Sequence, residues 1–374
     1  MRTYRLAVAL LVLAAVARAS AAPSFCLPPL FENGRRLHPL PVPEVFWLEP
    51  ALRQHELCWQ VRADPAQPRA FLIGSSAVFG LPLPVDDTVS ERLNAHLVEV
   101  GAPGHVFNLG YVGAYQTRDA VVLDAALAYE PDLIIYPLTL ADFNQRDWSF
   151  PVLREFFLSN RARVAELAAG QAPGLEAPLA RITASEDGAG YLARTALHLR
   201  EGGALVRAAV RAQAEALARR LDPSFPLPST TTAGRQPHYD CAATLRSAAA
   251  LYDNWQSWNI LAYLERVSRA RSLPILIVNW PIAHEPVDSC YNVRHSAESI
   301  EQFNRWLAAE ATARGLSYLD LHDLLPPELF ADSLHVTAEG HRRIAEQLAP
   351  VVEAMLRERS EHRAAQAASH APLP

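Results

Sequence analysis

The chain of 374 residues is 50% hydrophobic and 20% charged, with a formal net charge of −6. That length and apolar content suit one large globular domain with an insertion, or two domains. The acidic balance argues against a nucleic-acid partner, and the 34 basic residues, all arginine, read as a compositional bias without functional content.

Met1 to Ala22 has the build of a signal sequence. Arg2 and Arg5 form the charged start, Leu6 to Ala17 is the apolar stretch, and Ala19-Ser20-Ala21 is a small-residue cleavage site. The apolar stretch is short for a membrane span. Cleaved, or kept as an N-terminal anchor, it sends the body outside the cytoplasm, secreted or periplasmic. Four cysteines in an exported chain, Cys26, Cys58, Cys241 and Cys290, predict disulfides. Three pairings are open, and Cys26–Cys58 with Cys241–Cys290 closes the shorter loops. Their spacing suits neither a metal nor a catalytic thiol.

Residues 23–68 are proline-rich and lack periodicity, so they are expected to wrap the surface. The run Ala70-Phe71-Leu72-Ile73 reads as a buried strand that stops at Gly74-Ser75-Ser76. Val106 to Leu109 reads as a second strand, followed by Gly110-Tyr111-Val112-Gly113, where two glycines allow close backbone approach. A helix is predicted over 115–129 and a third strand over 133–136, running into Pro137 to Asn144. Residues 145–257 interrupt this alternation with helical composition and form an insertion. A helix follows over 257–271, then a fourth strand over 273–278, a helix over 298–314 ended by Gly315, and a fifth strand over 316–321. Thr337 is the expected N-cap of a helix over 338–352, and residues 357–374 are expected to fray. Strands alternating with helices imply a parallel five-stranded sheet with helices on both faces.

Three pieces fall where strands end: Ser76, the glycines 110–113, and Asp332-Ser333-Leu334-His335. In open α/β sheets the carboxyl ends of the strands carry the site. Acyl transfer needs a hydroxyl nucleophile, a base, a carboxylate that orients the base, and oxyanion donors. Ser76 suits the first role, His335 the second and Asp332 the third. The backbone N–H groups of Ser76 and Gly113 suit the oxyanion. By contrast, His284, His322 and His341 read as packing or solvent-facing, and Asp320 as structural. The aromatics Tyr252, Trp255, Trp258 and Tyr263 have helical spacing and read as core rather than as a sugar platform.

Gly74-Ser75-Ser76, Asn108 to Gly113 and Asp332 to His335 resemble three of the four sequence blocks of the SGNH (GDSL-type) hydrolases. The resemblance covers residues 70–144 and 273–350. It implies a flavodoxin-like three-layer α/β/α sandwich and esterase or acyl-transfer chemistry without metal or cofactor. It puts the nucleophile at Ser76, an oxyanion donor at Gly113, and the acid and base at Asp332 and His335. Two positions depart from the family pattern. Ser75 stands where the first block has Asp, which is not the triad acid. Ala141 stands where the third block has an oxyanion Asn, and loss of one such donor costs roughly 100- to 1,000-fold in rate.

The expectation is an exported serine hydrolase acting on an acyl ester of a carbohydrate or lipid. Membrane contact would come only through an uncleaved N-terminal segment. An extracytoplasmic O-acyltransferase acting on a polysaccharide is the alternative within catalysis. From another class, the alternative is a binding module that keeps the fold but is too weak for turnover. Peptide mapping of oxidised, non-reduced protein should find Cys26 linked to Cys58 and Cys241 to Cys290; four free thiols would contradict this.

Overall fold

The computed structural model describes residues 67–80, 83, 85–110, 116–143, 260–283, 297–331 and 334–369. The expected signal sequence, almost all of the proline-rich segment, the insertion over 145–257 and all four cysteines lie outside the described residues.

Five short strands form one parallel sheet. They are β1 (Arg69–Leu72), β2 (His105–Asn108), β3 (Leu133–Leu138), β4 (Ile275–Asn279) and β5 (Ser317–Asp320). The strand order is β2-β1-β3-β4-β5, the doubly wound order of flavodoxin-like sheets. The helices are α1 (Ser76–Phe79), α2 (Val89–Glu99), α3 (Gln116–Ala126), α4 (Leu261–Arg271), α5 (Ala297–Ala313) and α6 (Ala338–Ser369).

The three inner strands β1, β3 and β4 are buried along their whole length because both faces are covered, whereas the edge strands β2 and β5 carry polar, partly exposed residues. Successive side chains of a strand point to opposite faces, so one run feeds two cores. Phe71, Ile134, Tyr136, Ile275 and Ile277 pack with Ala120 and Leu123 of α3, Leu264 of α4, and Phe303 and Leu307 of α5. Ala70, Leu72, Ile135, Leu276 and Val278 pack with Leu93 and Leu97 of α2 and with Ile344, Leu348 and Val352 of α6. The result is three layers, with α3, α4 and α5 on one face and α2 and α6 on the other. Among the described residues no helix is long and apolar enough to cross a membrane.

Two features differ from the sequence expectation. Helix α2 was not expected, although Thr88, Leu93 and Leu97 carry a start signal and an i, i+4 apolar pair. It forms the crossover that a parallel β1–β2 pair requires. The last helix also runs through Ser369, past the point where residues 357–374 were expected to fray. Its continuation past 356 has partners as far as Arg363. Arg357 donates to the carbonyl of Val100 at 3.3 Å, and Arg363 pairs with the fully buried Asp132 at 2.8 Å. The other oxygen of Asp132 accepts the backbone N–H of Arg69 at 2.9 Å, so this helix is tied to the amino edge of the sheet.

Strand β2 is an edge, and an edge leaves backbone groups without a ladder partner. Asn94 of α2 takes that place. Its amide donates to the carbonyl of Val106 at 3.0 Å, and its oxygen accepts the Val106 N–H at 2.7 Å. Val106 is buried, so water does not readily replace these bonds. Asn94→Ala should destabilise the fold by about 2–4 kcal/mol, the cost of two buried unpaired backbone groups. Chemical denaturation checks this; a loss below roughly 0.5 kcal/mol, the range of ordinary surface changes, would mean that the edge finds other partners.

Candidate active site

The sheet order reverses direction between β1 and β3, which places a crevice at their carboxyl ends. Strand β1 delivers the chain there. Gly74 has no room for a side chain, since a Cβ would lie 2.7 Å from Cγ2 of Val78. Ser75 is extended, with φ −79° and ψ −169°, and Ser76 opens the single turn of α1. The turn closes by Phe79 N–H to Ser75 O at 2.9 Å and Gly80 N–H to Ser76 O at 3.0 Å. Gly80 ends it at φ 81°, a left-handed conformation that costs glycine least.

The exit of β2 locks this turn from the side. Asn108 donates to the carbonyl of Val78 at 3.0 Å and to Ser90 Oγ at 3.2 Å, and its oxygen accepts the N–H of Gly110 at 2.9 Å. Gly110 lies so close that a Cβ would sit 2.6 Å from the backbone nitrogen of Phe79. The need for glycine at 110 is thus close approach to α1.

His335 arrives from the far end of the chain. Phe330 and Val336 form an isolated antiparallel bridge, and the N–H of Ala331 donates to His335 O at 2.7 Å. Thr337 donates its N–H to Leu329 O at 2.8 Å and accepts the Gly340 N–H on Oγ1 at 3.2 Å, capping α6 as the sequence predicts. Gly340 is crowded too, its would-be Cβ lying 2.9 Å from Val336 Cβ. His335 is therefore held beside Val336 of the bridge, two residues ahead of the capping Thr337.

The two ends meet. Nε2 of His335 lies 2.8 Å from Oγ of Ser76, across 259 positions of sequence. In the tautomer with Nδ1 protonated, the hydroxyl of Ser76 donates to Nε2, which is the arrangement a base needs to accept that proton. Both Ser75 and Ser76 are buried, so this hydroxyl is mostly shielded from bulk water. Of the four sequence-predicted site residues, the structure brings Ser76 and His335 together; Asp332 and Gly113 lie outside the described residues.

Two of the other histidines serve elsewhere, and His284 lies outside the described residues. His341 is fully buried and accepts the N–H of Val89 on Nδ1 at 3.1 Å. His322 is held by Asp320 at 2.7 Å and Asp323 at 2.9 Å. Of the four aromatics at helical spacing, Tyr263 is in the core, and Tyr252, Trp255 and Trp258 lie outside the described residues.

The sequence pattern did not point to a buried polar group beside the Gly74–Ser76 turn. At the start of α3, Arg118 pairs with Asp119 at 2.7 Å, and Tyr136 of β3 donates to the other oxygen of Asp119 at 2.9 Å. Just past β3, Asp142 Oδ2 accepts the N–H of Thr139 at 2.6 Å and its hydroxyl at 2.8 Å. The adjacent pair Arg118-Asp119, in a helix otherwise rich in Ala, Val and Leu, was the available signal. Burial pushes the Asp142 carboxyl up to about 7, against the opposing pull of the Thr139 bonds, with the Asp119 charge adding to the rise. Burial and the charges of Asp119 and Asp142 likewise push the Tyr136 phenol well above its usual range.

No family model matches the chain, and no curated protein matches it. Among solved structures, the crystal structure of TesA aligns at 14% identity over 77% of this chain and 99% of that one, with a TM-score of 0.39. A carbohydrate acetylesterase family member from Sinorhizobium meliloti aligns at 16% identity over 77% and 99%, with a TM-score of 0.36. The lipase/acylhydrolase from Enterococcus faecalis aligns at 13% identity over 77% and 96%, with a TM-score of 0.38. Likeness at this level carries no chemistry, and the architecture stands on the strand order and register of the chain itself.

The Asp142 carboxyl makes stability depend on pH. Its value in the fold, about 7, lies above the ~3.9 of an unfolded aspartate, so the fold binds the extra proton between the two. This contribution is complete at acid pH and is lost as pH rises through about 7. Asp142→Asn keeps an oxygen for both Thr139 bonds and removes the titration. Urea midpoints taken from pH 5 to pH 8 should fall more steeply for the parent chain than for Asp142→Asn; parallel curves would contradict the protonated carboxyl.

Proposed function

We propose that this protein is an exported serine hydrolase of the SGNH type that acts on an acyl ester of a carbohydrate or lipid. One observation carries the reading: the 2.8 Å bond between Ser76 Oγ and His335 Nε2 at the carboxyl-end crevice of a doubly wound sheet. The resemblance of the three sequence blocks supports it.

In this reading His335 takes the proton of Ser76 as Oγ attacks the ester carbonyl. Negative charge builds on the carbonyl oxygen and is met by the backbone N–H groups of Ser76 and Gly113. The tetrahedral intermediate collapses, His335 returns the proton to the departing alcohol, and an acyl-enzyme remains. Water then attacks with His335 again as base, which restores Ser76. Asp332 holds the imidazole in the tautomer that leaves Nε2 able to accept. These steps call on no metal and no cofactor.

A fluorophosphonate probe tests the nucleophile, because it needs an activated serine but no knowledge of the substrate. Wild-type chain should be labelled and Ser76→Ala should not, with unchanged circular dichroism. Labelling lost in Ser75→Ala but kept in Ser76→Ala would shift the nucleophile by one residue, and an unreactive wild type would favour a binding module. Assays on short-chain esters with and without carbohydrate hydroxyls then separate hydrolysis from transfer. For the acid, Asp332→Asn should lower kcat by about 10- to 10,000-fold, more than it raises KM, the range set by how far other groups share the orienting of the imidazole. The double variant with His335→Ala should be little worse than His335→Ala alone, since the pair acts as a unit; additive losses would separate the two roles.

A further inference from the structure

Strand β1 leaves the sheet with its backbone only partly accounted for by neighbouring strands. The N–H of Ile73 donates to Ile135 O, and Leu72 O accepts the N–H of Leu109. Beyond that, the carbonyls of Ser75 and Ser76 close the single turn of α1. The carbonyl of Gly74 lies between these two sets of bonds and takes part in neither. Its donor is Nη2 of Arg118, at 3.3 Å.

Arg118 is buried, and its charge is met by Asp119, to which Nε donates at 3.2 Å and Nη2 at 2.7 Å. Asp119 is also buried and is fixed by the Tyr136 hydroxyl on its second oxygen. Two residues before Arg118, the amide of Gln116 donates to Asp142 O at 3.1 Å, and its oxygen accepts the N–H of Ile260 at 2.9 Å. The first turn of α3 thus binds the exit of β1, the middle of β3, the turn after β3 and the start of α4. A buried ion pair is weak evidence of a stabilising role, since apolar residues of similar volume often serve as well or better. Its place is what is informative: it adjoins the residue two before Ser76, on the side of the turn that Asn108 does not hold.

We infer that Arg118, oriented by Asp119 and Tyr136, is a positioning residue that fixes the Gly74–Ser76 turn and so sets Oγ of Ser76 against His335. The inference rests on the reading of Ser76 as nucleophile for its catalytic consequence, but not for the structural coupling. The guanidinium is suited to this task because its planar fork serves a carboxylate and a carbonyl at once, where an ammonium offers a single point of charge.

Arg118→Lys keeps the charge beside Asp119 and loses the fork. Tyr136→Phe removes one bond from Asp119 and leaves Arg118 in place. Thermal unfolding shows whether each full-length variant folds. Hydrogen–deuterium exchange then follows the amides of residues 74–80, and fluorophosphonate labelling with kcat and KM on p-nitrophenyl acetate follows the chemistry. In folded Arg118→Lys, exchange over 74–80 should rise about tenfold or more while β3 and β4 keep their protection. Labelling and kcat should fall about 10- to 100-fold with KM changed less than roughly threefold, the signature of a misplaced reacting group. Tyr136→Phe should move the same readouts in the same direction by less.

Wild-type exchange over 74–80 and wild-type labelling in folded Arg118→Lys would overturn the inference. If Arg118→Lys does not fold, Tyr136→Phe decides, and unchanged exchange over 74–80 overturns it. If exchange rises selectively but the wild-type chain is never labelled, the nucleophile reading fails while the positioning of the turn stands.

Discussion

Parallel pairing is the constraint on which the rest depends. Strands that all run one way need a crossover between each pair, and every crossover starts from the same edge of the sheet. Ser76, Gly110, Asp142 and Trp280 all follow the carboxyl ends of strands for that reason. The reversal of order between β1 and β3 then opens a crevice along this edge. A bond between residues 259 positions apart needs no special device once the edge exists. It needs only that the first strand and the last helix border that crevice, and that their connecting turns be held.

Holding the turns is where polar groups are spent. Asn94, Asn108, Gln116 and Asp132 each use side-chain groups to satisfy backbone atoms of another element. Such bonds gain little net energy over water, but leaving their partners unpaired in a dry interior is costly. They therefore select one arrangement against alternatives more than they add to stability. The close approaches at Gly74 and Gly110 act in the same sense, since any side chain there would displace α1.

The hub formed by Arg118, Asp119, Tyr136 and Asp142 concentrates charge in the layer beneath the crevice. Arg118 and Asp119 neutralise one another, and below about pH 7 the Asp142 carboxyl is protonated, so the group is buried with little net charge. Above that pH a second carboxylate would share the space of Asp119 with a single guanidinium. The same desolvation that raises the carboxyl strengthens the bonds among its neighbours, because both follow from the low local dielectric.

Much of this was legible in the chain. The apolar runs 70–73, 133–136 and 273–278 specify strands, because a parallel sheet covered on both faces leaves few polar positions on its inner strands, while 106–109 and 316–321, the edges, are placed by the alternation of strands with helices. Thr337 ahead of an amphipathic stretch specifies the cap of α6, a bond made within four residues. Glycines after strands, and a serine and a histidine flanking the core, mark the candidate site by residue type alone. What the sequence does not carry is anything whose partner is distant and whose chemistry is generic. Arginine and aspartate at 118 and 119 look like a solvated pair until the sheet closes over them. Asn94 looks like any polar helical residue until β2 lies against it, and Arg363 looks like a frayed tail until Asp132 is buried beneath it. Local bonding rules are written in neighbouring residues and can be read there. Burial is a property of the assembled layers, and only the tertiary structure decides which ordinary side chains it turns into structural ones.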